Sequence, residues 1–244
     1  IWPESAFPFL LTERRDALGA IGSMLPEGTS LITGAARAED AAIAGRDRLV
    51  FNSVYVINSE GIIVSAADKV HLVPFGEYLP FQKAAESLGF EQLTRVQGGF
   101  EPGSKRKLLE TGTGPKFLPL ICYEIIFSGA IWHERDRPGW ILNLTNDAWF
   151  GYTPGPFQHE RQAVLRGVEE GLPVVRAANS GISGIYTAYG ETVERVELDG
   201  MGIVHGQLPI AIAEPTIFQR FGDFLFWAIF ASFVLFGLMP VRQK

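Results

Sequence analysis

Two short runs, Phe117–Ile121 and residues 140–144, carry no charge and almost no polar side chain. Runs this short and this apolar read as strands buried on both faces, and such strands exist only inside a layered fold with cover on each side. Other strands are expected at residues 30–34, after the Pro26-Glu27-Gly28 turn, and at residues 49–57. The latter pairs with residues 62–66 as a hairpin across Asn58-Ser59-Glu60-Gly61. Residues 173–177, 185–188 and 192–196 continue the strand pattern. Amphipathic helices fit residues 11–25, with Leu11, Leu18, Ile21 and Leu25 on one face, and residues 157–170, with Ala163, Val164 and Val168. Strands alternating with helices, without repeats, predict an α/β layered domain. The 244 residues, 47% of them hydrophobic, are enough to build its core.

Net charge of −6 argues against a nucleic-acid partner, which would need a basic stripe. The run Lys105-Arg106-Lys107 is expected to be a solvated loop. A single cysteine forbids an internal disulfide. The four histidines, His71, His133, His159 and His205, lack metal-site spacing, and no phosphate-binding glycine loop occurs, so no metal and no cofactor are expected. His159 reads as a capping or packing residue.

Residues 224–241 form an uncharged run bounded by Asp223 and Arg242. Its length reaches the lower limit for spanning a bilayer, with Trp227 as an interfacial anchor. The expectation is a catalytic domain over residues 1–218 and a C-terminal transmembrane helix with a short basic tail over 219–244. Arg242 and Lys244 would put the C-terminus in the cytoplasm and the catalytic domain on the other side. Because the chain opens on Ile1-Trp2-Pro3 without an initiator Met, it reads as a piece of a longer protein with a truncated N-terminal edge. Between Tyr78 and Lys107 periodicity fades, which suggests a long functional connection or lid.

Cys122 follows the strand Phe117–Ile121 directly and precedes a helical pattern, so it sits on an elbow. A helix N-terminus and a nearby lysine are expected to lower its pKa. Glu4 lies in Trp2-Pro3-Glu4-Ser5 and Lys69 in Asp68-Lys69-Val70-His71-Leu72, each at what looks like a strand exit. Taken singly, Glu4 would be a solvated carboxylate, Lys69 a surface cation and Cys122 a small buried hydrophobe.

Taken together, the three resemble the Glu-Lys-Cys centre of the nitrilase superfamily. Within it the chain is most similar to the apolipoprotein N-acyltransferases. The resemblance is carried by Trp2-Pro3-Glu4; by Lys69-Val70-His71-Leu72-Val73-Pro74-Phe75-Gly76-Glu77-Tyr78-Leu79-Pro80; by Ile121-Cys122-Tyr123-Glu124; by Asn143-Leu144-Thr145-Asn146-Asp147-Ala148-Trp149-Phe150-Gly151; and by Asn179-Ser180-Gly181-Ile182-Ser183. It implies a nitrilase-like α-β-β-α sandwich and one following transmembrane helix.

The resemblance further implies Glu4 as general base, Lys69 and the backbone N–H of Tyr123 as oxyanion donors, and Cys122 as nucleophile. Glu77 and Glu124 would support the site, and Trp149 and Phe150 could line an acyl path. The implied partners are a phospholipid acyl donor, a lipoprotein N-terminus as acceptor and the membrane. The implied location is the bacterial inner membrane, with the catalytic domain on its periplasmic face. A small-amide hydrolase with the same triad and an inactive membrane-anchored binding module are the competing readings.

Overall fold

The structure is a computed structural model that describes residues 1–43, 46–81, 94, 99–129, 131, 132 and 136–237. Two sheets form its centre. The first is antiparallel, with β1 (Ser30–Ile43), β2 (Arg46–Asn58) and β3 (Ile63–Asp68) in sequential order. The second has β4 (Phe117–Ile121), β5 (Trp140–Asn146), β6 (Val174–Asn179), β7 (Ser183–Tyr186) and β8 (Thr192–Val196), also in sequential order. Its pairs β4–β5 and β5–β6 are parallel, and β6–β7 and β7–β8 antiparallel.

Side-chain alternation sorts the core into three layers. From the first sheet Ile32, Val54 and Val56 meet Phe117, Ile121, Leu142 and Leu144 of the second, so the sheets pack face to face. The opposite face of the first sheet, with Leu31, Tyr55 and Ile57, receives Ile21 from helix α1 (Arg15–Met24) and Leu11 from the 3₁₀ turn Leu11–Glu13 before it. The outer face of the second sheet, with Leu118, Leu120 and Ile141, receives Ala163 and Val164 from helix α2 (Gly155–Glu170). The order helix, sheet, sheet, helix is the α-β-β-α sandwich expected from the sequence.

Local chemistry fixes several element ends. Helix α2 opens with Pro156 in its first turn and closes at Gly171, which adopts a left-handed conformation (φ 60°). The β2–β3 hairpin is held by the Asn58 side chain, whose Oδ1 accepts from the backbone N–H of Glu60 and Ile62. Gly61 has φ 74°, and a Cβ there would lie 2.4 Å from the carbonyl oxygen of Leu18, so only glycine lets α1 rest on this turn.

The C-terminal expectation is corrected. After β8 the described residues form a short helix α3 (Ile217–Phe221) and a helix α4 (Phe224–Gly237) of 14 residues. At about 1.5 Å per residue the described residues of α4 span roughly 21 Å, against a hydrocarbon core of about 30 Å. Among the described residues no helix is long and apolar enough to cross a membrane. Residues 238–244, including Arg242 and Lys244, lie outside the described residues, as does His133. Most of the expected lid, at 82–93 and 95–98, does too. The basic run is also corrected in part: Arg106 turns inward, 3.6 Å from Glu124 Oε1.

Candidate active site

The carboxyl ends of β4 and β5, the exit of β3 and the N-terminal segment converge on one cavity of about 390 Å³. Glu4, Lys69, Glu77, Cys122, Tyr123, Trp149 and Phe150 all line it. Neither charged residue behaves as its isolated sequence would suggest, since Glu4 is 7% and Lys69 1% exposed.

Glu4 is carried by residues that run along the free edge of β1. The N–H of Trp2 donates to the carbonyl of Ile32, that of Gly34 to Pro3, and that of Ala6 to Gly34. The approach is so close that a Cβ on Gly34 would lie 2.7 Å from Cα of Glu4. The carboxylate then accepts from Asn52 Nδ2 at 2.7 Å and from the backbone N–H of Asn146 at 2.8 Å. Burial, assisted by the charge of Glu77, raises the pKa of Glu4 against the opposing pull of Lys69 and these hydrogen bonds.

Lys69 follows β3, its backbone N–H donating to the Asn52 carbonyl at 2.7 Å. Its ammonium meets Glu77 Oε2 at 2.8 Å. Burial would lower its pKa, but Glu4, Cys122 and Glu77 outweigh burial and hold it up at about 12. Glu77 also accepts from the backbone N–H of Val73 and from Asn52 Nδ2. Asn52 therefore bridges both carboxylates of the site.

Cys122 begins a five-residue 3₁₀ turn, Cys122–Ile126. Its φ of 54° places an L-residue in the left-handed region, a conformation that costs about 1–3 kcal/mol and must be held by its surroundings. The sequence suggested a lowered thiol pKa, and the structure reverses this. Burial first, then the negative charges of Glu4 and Glu77, push the Cys122 thiol up to about 12 despite Lys69 and the Thr145 hydroxyl. A thiol in that environment rests neutral.

Glu124 does not reach Lys69 directly in the way Glu77 does. One of its oxygens accepts from the backbone N–H of Val70 and of His71, and the other from that of Ile121. It thereby ties the segment after Lys69 to the strand that ends at Cys122.

Below the cysteine lies a cluster that sequence reasoning assigned no role. Of the two roles expected for His159, capping or packing, it caps no helix, and its ring is packed and buried between Asp147 Oδ1, at 2.8 Å from Nδ1, and the carbonyl of Cys122, at 3.1 Å from Nε2. Arg176 donates to Asp147 Oδ2 at 2.6 Å, to Asn143 and to the carbonyl of Ile182. Burial opposes ionisation of Asp147, yet His159 and Arg176 hold its carboxyl below the usual range. A charge such as Arg176 inside an apolar strand was the one readable signal, because it must find a partner there.

Among the described residues no group of His, Cys, Asp and Glu could hold a metal ion. Chemically, the arrangement provides a buried base, a buried cation and a thiol around one space, the parts needed for acyl transfer through a thioester.

Comparison with known proteins identifies the family. Residues 22–216 match the carbon-nitrogen hydrolase family. An apolipoprotein N-acyltransferase of Bradyrhizobium diazoefficiens is 52% identical over 223 residues, covering 91% of this chain and 41% of the relative. One from Brucella suis is 49% identical, covering 86% and 39%, and one from Agrobacterium fabrum is 43% identical, covering 98% and 45%. The chain thus spans about two fifths of the length of the curated relatives it matches. Among solved structures, a Nesterenkonia AN1 amidase of the nitrilase superfamily aligns with a TM-score of 0.51 at 16% identity, covering 82% of this chain and 73% of that one. That likeness is one of fold.

Proposed function

The chain belongs to the carbon-nitrogen hydrolase family, and we propose that it is the acyl-transfer part of an apolipoprotein N-acyltransferase working at the bacterial inner membrane. The observation that carries this reading is the convergence of Glu4, Lys69 and Cys122 on a largely apolar cavity. The identity to named N-acyltransferases supports the choice of substrates.

In the proposed reaction Glu4 accepts the thiol proton as Cys122 Sγ attacks the ester carbonyl carbon of a phospholipid acyl chain. The tetrahedral oxyanion is met by the Lys69 ammonium and the N–H of Tyr123, each preorganised donor being worth about 3 kcal/mol of barrier. The bond to the glycerol oxygen breaks, Glu4 passes its proton to that oxygen, and a lysophospholipid leaves with Cys122 acylated. The α-amine of a diacylglyceryl-cysteine then attacks the thioester. Glu4 takes an amine proton and returns it to the departing sulfur, so the product is an amide and the enzyme is restored.

Supporting roles follow from contacts. Glu77 holds the Lys69 ammonium, and with Asn52 sets its position relative to Glu4. Trp149 and Phe150 line the cavity and would contact the acyl chain. Helix α4, with Phe226, Trp227 and Phe230 each at least half exposed, offers an apolar surface to lipid.

The test is intact-mass analysis of the protein and a Cys122→Ala variant after incubation with phosphatidylethanolamine. An acyl-chain mass increase confined to the protein with Cys122 is the expected result. No adduct from phospholipid, together with turnover of a small amide, would replace the lipid donor by hydrolysis of that amide.

A further inference from the structure

A buried histidine with no part in the proton transfers lies directly behind the nucleophile. His159 Nε2 is 3.1 Å from the carbonyl oxygen of Cys122, and Asn143 Nδ2 approaches the same oxygen at 3.3 Å. A carbonyl oxygen only accepts, so Nε2 carries the hydrogen in this contact. The ring is fixed from behind by Asp147 Oδ1 at 2.8 Å, and Asp147 is fixed in turn by Thr145 Oγ1 at 3.0 Å and Arg176 Nη2 at 2.6 Å. Arg176 Nη2 also lies 3.3 Å from His159 Nδ1. Every member of this chain is buried, so each holds a single position.

The consequence concerns the next peptide group. The carbonyl of Cys122 and the N–H of Tyr123 share one rigid plane and, in a trans peptide, point in opposite directions. The structure contains no cis peptide bonds among its described residues. Pulling the carbonyl toward His159 and Asn143 therefore turns the N–H of Tyr123 the other way. Cys122 and Tyr123 line the cavity, whereas His159 and Asn143 do not. Cys122 holds a left-handed φ of 54° at this point of the chain.

We propose that His159 is a positioning residue that sets the oxyanion donor: by holding the Cys122 carbonyl, it aims the Tyr123 N–H at the tetrahedral oxygen. The inference rests on the thioester chemistry above, but not on the identity of the acyl donor, and its test uses a donor that needs no lipid recognition.

The full chain, with His159→Leu and His159→Gln, is acylated with p-nitrophenyl butyrate, and the burst of p-nitrophenolate is read. In parallel Cys122 is alkylated with iodoacetamide, which builds no oxyanion. His159→Leu is expected to slow the acylation burst about 100-fold with little change in KM, and alkylation less than about threefold, while His159→Gln, which keeps an N–H donor, recovers about tenfold of the loss. If His159→Leu loses its thermal transition, His159→Gln is compared with His159→Asn, whose shorter amide falls short of the carbonyl. Equal losses in acylation and alkylation would show that His159 only presents the thiol, and no loss in either would show that it does neither; both results overturn the proposal. A burst with the activated ester but no adduct from phosphatidylethanolamine counts against the lipid donor alone.

Discussion

The protonation of Glu4, Lys69 and Cys122 fixes the pH dependence of the proposed reaction. Glu4 must be ionised to accept the thiol proton, and burial raises its pKa. Activity should therefore rise with pH through a value above the ordinary glutamate figure of about 4.3. Lys69 and Cys122 both lie near 12, so neither imposes an alkaline limb below about pH 9. A kcat/KM profile over pH 4 to 9 should show an acid limb and then a plateau, and an acid limb at or below the free-glutamate value would remove Glu4 from the role of base. Glu77→Gln keeps the shape of the side chain but leaves the Lys69 ammonium without its 2.8 Å partner. Its expected effect is a loss of about tenfold or more in kcat, since a preorganised electrostatic group has been loosened. An unchanged kcat with a normal melting curve would reduce Glu77 to a structural ion pair.

The elements show why some of the fold was legible and some was not. Strand β4 was read to its exact ends, because five apolar residues between loop signals admit no other burial. By contrast β1 continues to Ile43 through an alanine- and charge-rich stretch that has no strand signature of its own. Its partner β2 imposes the conformation there, residue by residue from Ala35 opposite Ser53 to Asp40 opposite Arg48. That Glu4, Lys69 and Cys122 line one cavity could be expected because three separate segments matched one chemical pattern. The buried cluster of Asn143, Asp147, His159 and Arg176 could not, because its members come from β5, the turn after it, α2 and β6, and only packing brings them together. That cluster makes a firm prediction: Arg176→Met leaves the buried Asp147 without its guanidinium partner, and should cost about 3–5 kcal/mol of stability, measured as a shift in the urea midpoint. At the hairpin, Gly61→Ala is expected to lower the melting temperature more than Gly112→Ala. Both glycines have positive φ, but an added Cβ meets Leu18 at the first position and open space at the second.

For the whole molecule the unresolved demand is apolar surface. Helix α4 is apolar around its full circumference and none of its residues is buried, so among the described residues nothing covers it fully. The transmembrane helix expected over this segment is not found among the described residues. The described helix ends after 14 residues. A surface of this kind binds lipid by burial of apolar area rather than by charge, and the net charge of −6 gives no overall attraction to anionic headgroups. Two consequences can be separated in a flotation experiment with vesicles of phosphatidylethanolamine and phosphatidylglycerol. Binding through α4 should persist when salt is raised to about 1 M, where the Debye length falls to roughly 3 Å and electrostatic attraction is screened. A chain ending at Asp223 should keep its thermal transition, since α4 contributes no buried residue, but should lose most of its flotation. If that shorter chain floated as well as the parent, the contact would have to come from the exposed aromatics near the cavity, among them Trp149 and Tyr152. The lipid would then approach the acylation site directly rather than through the terminal helix.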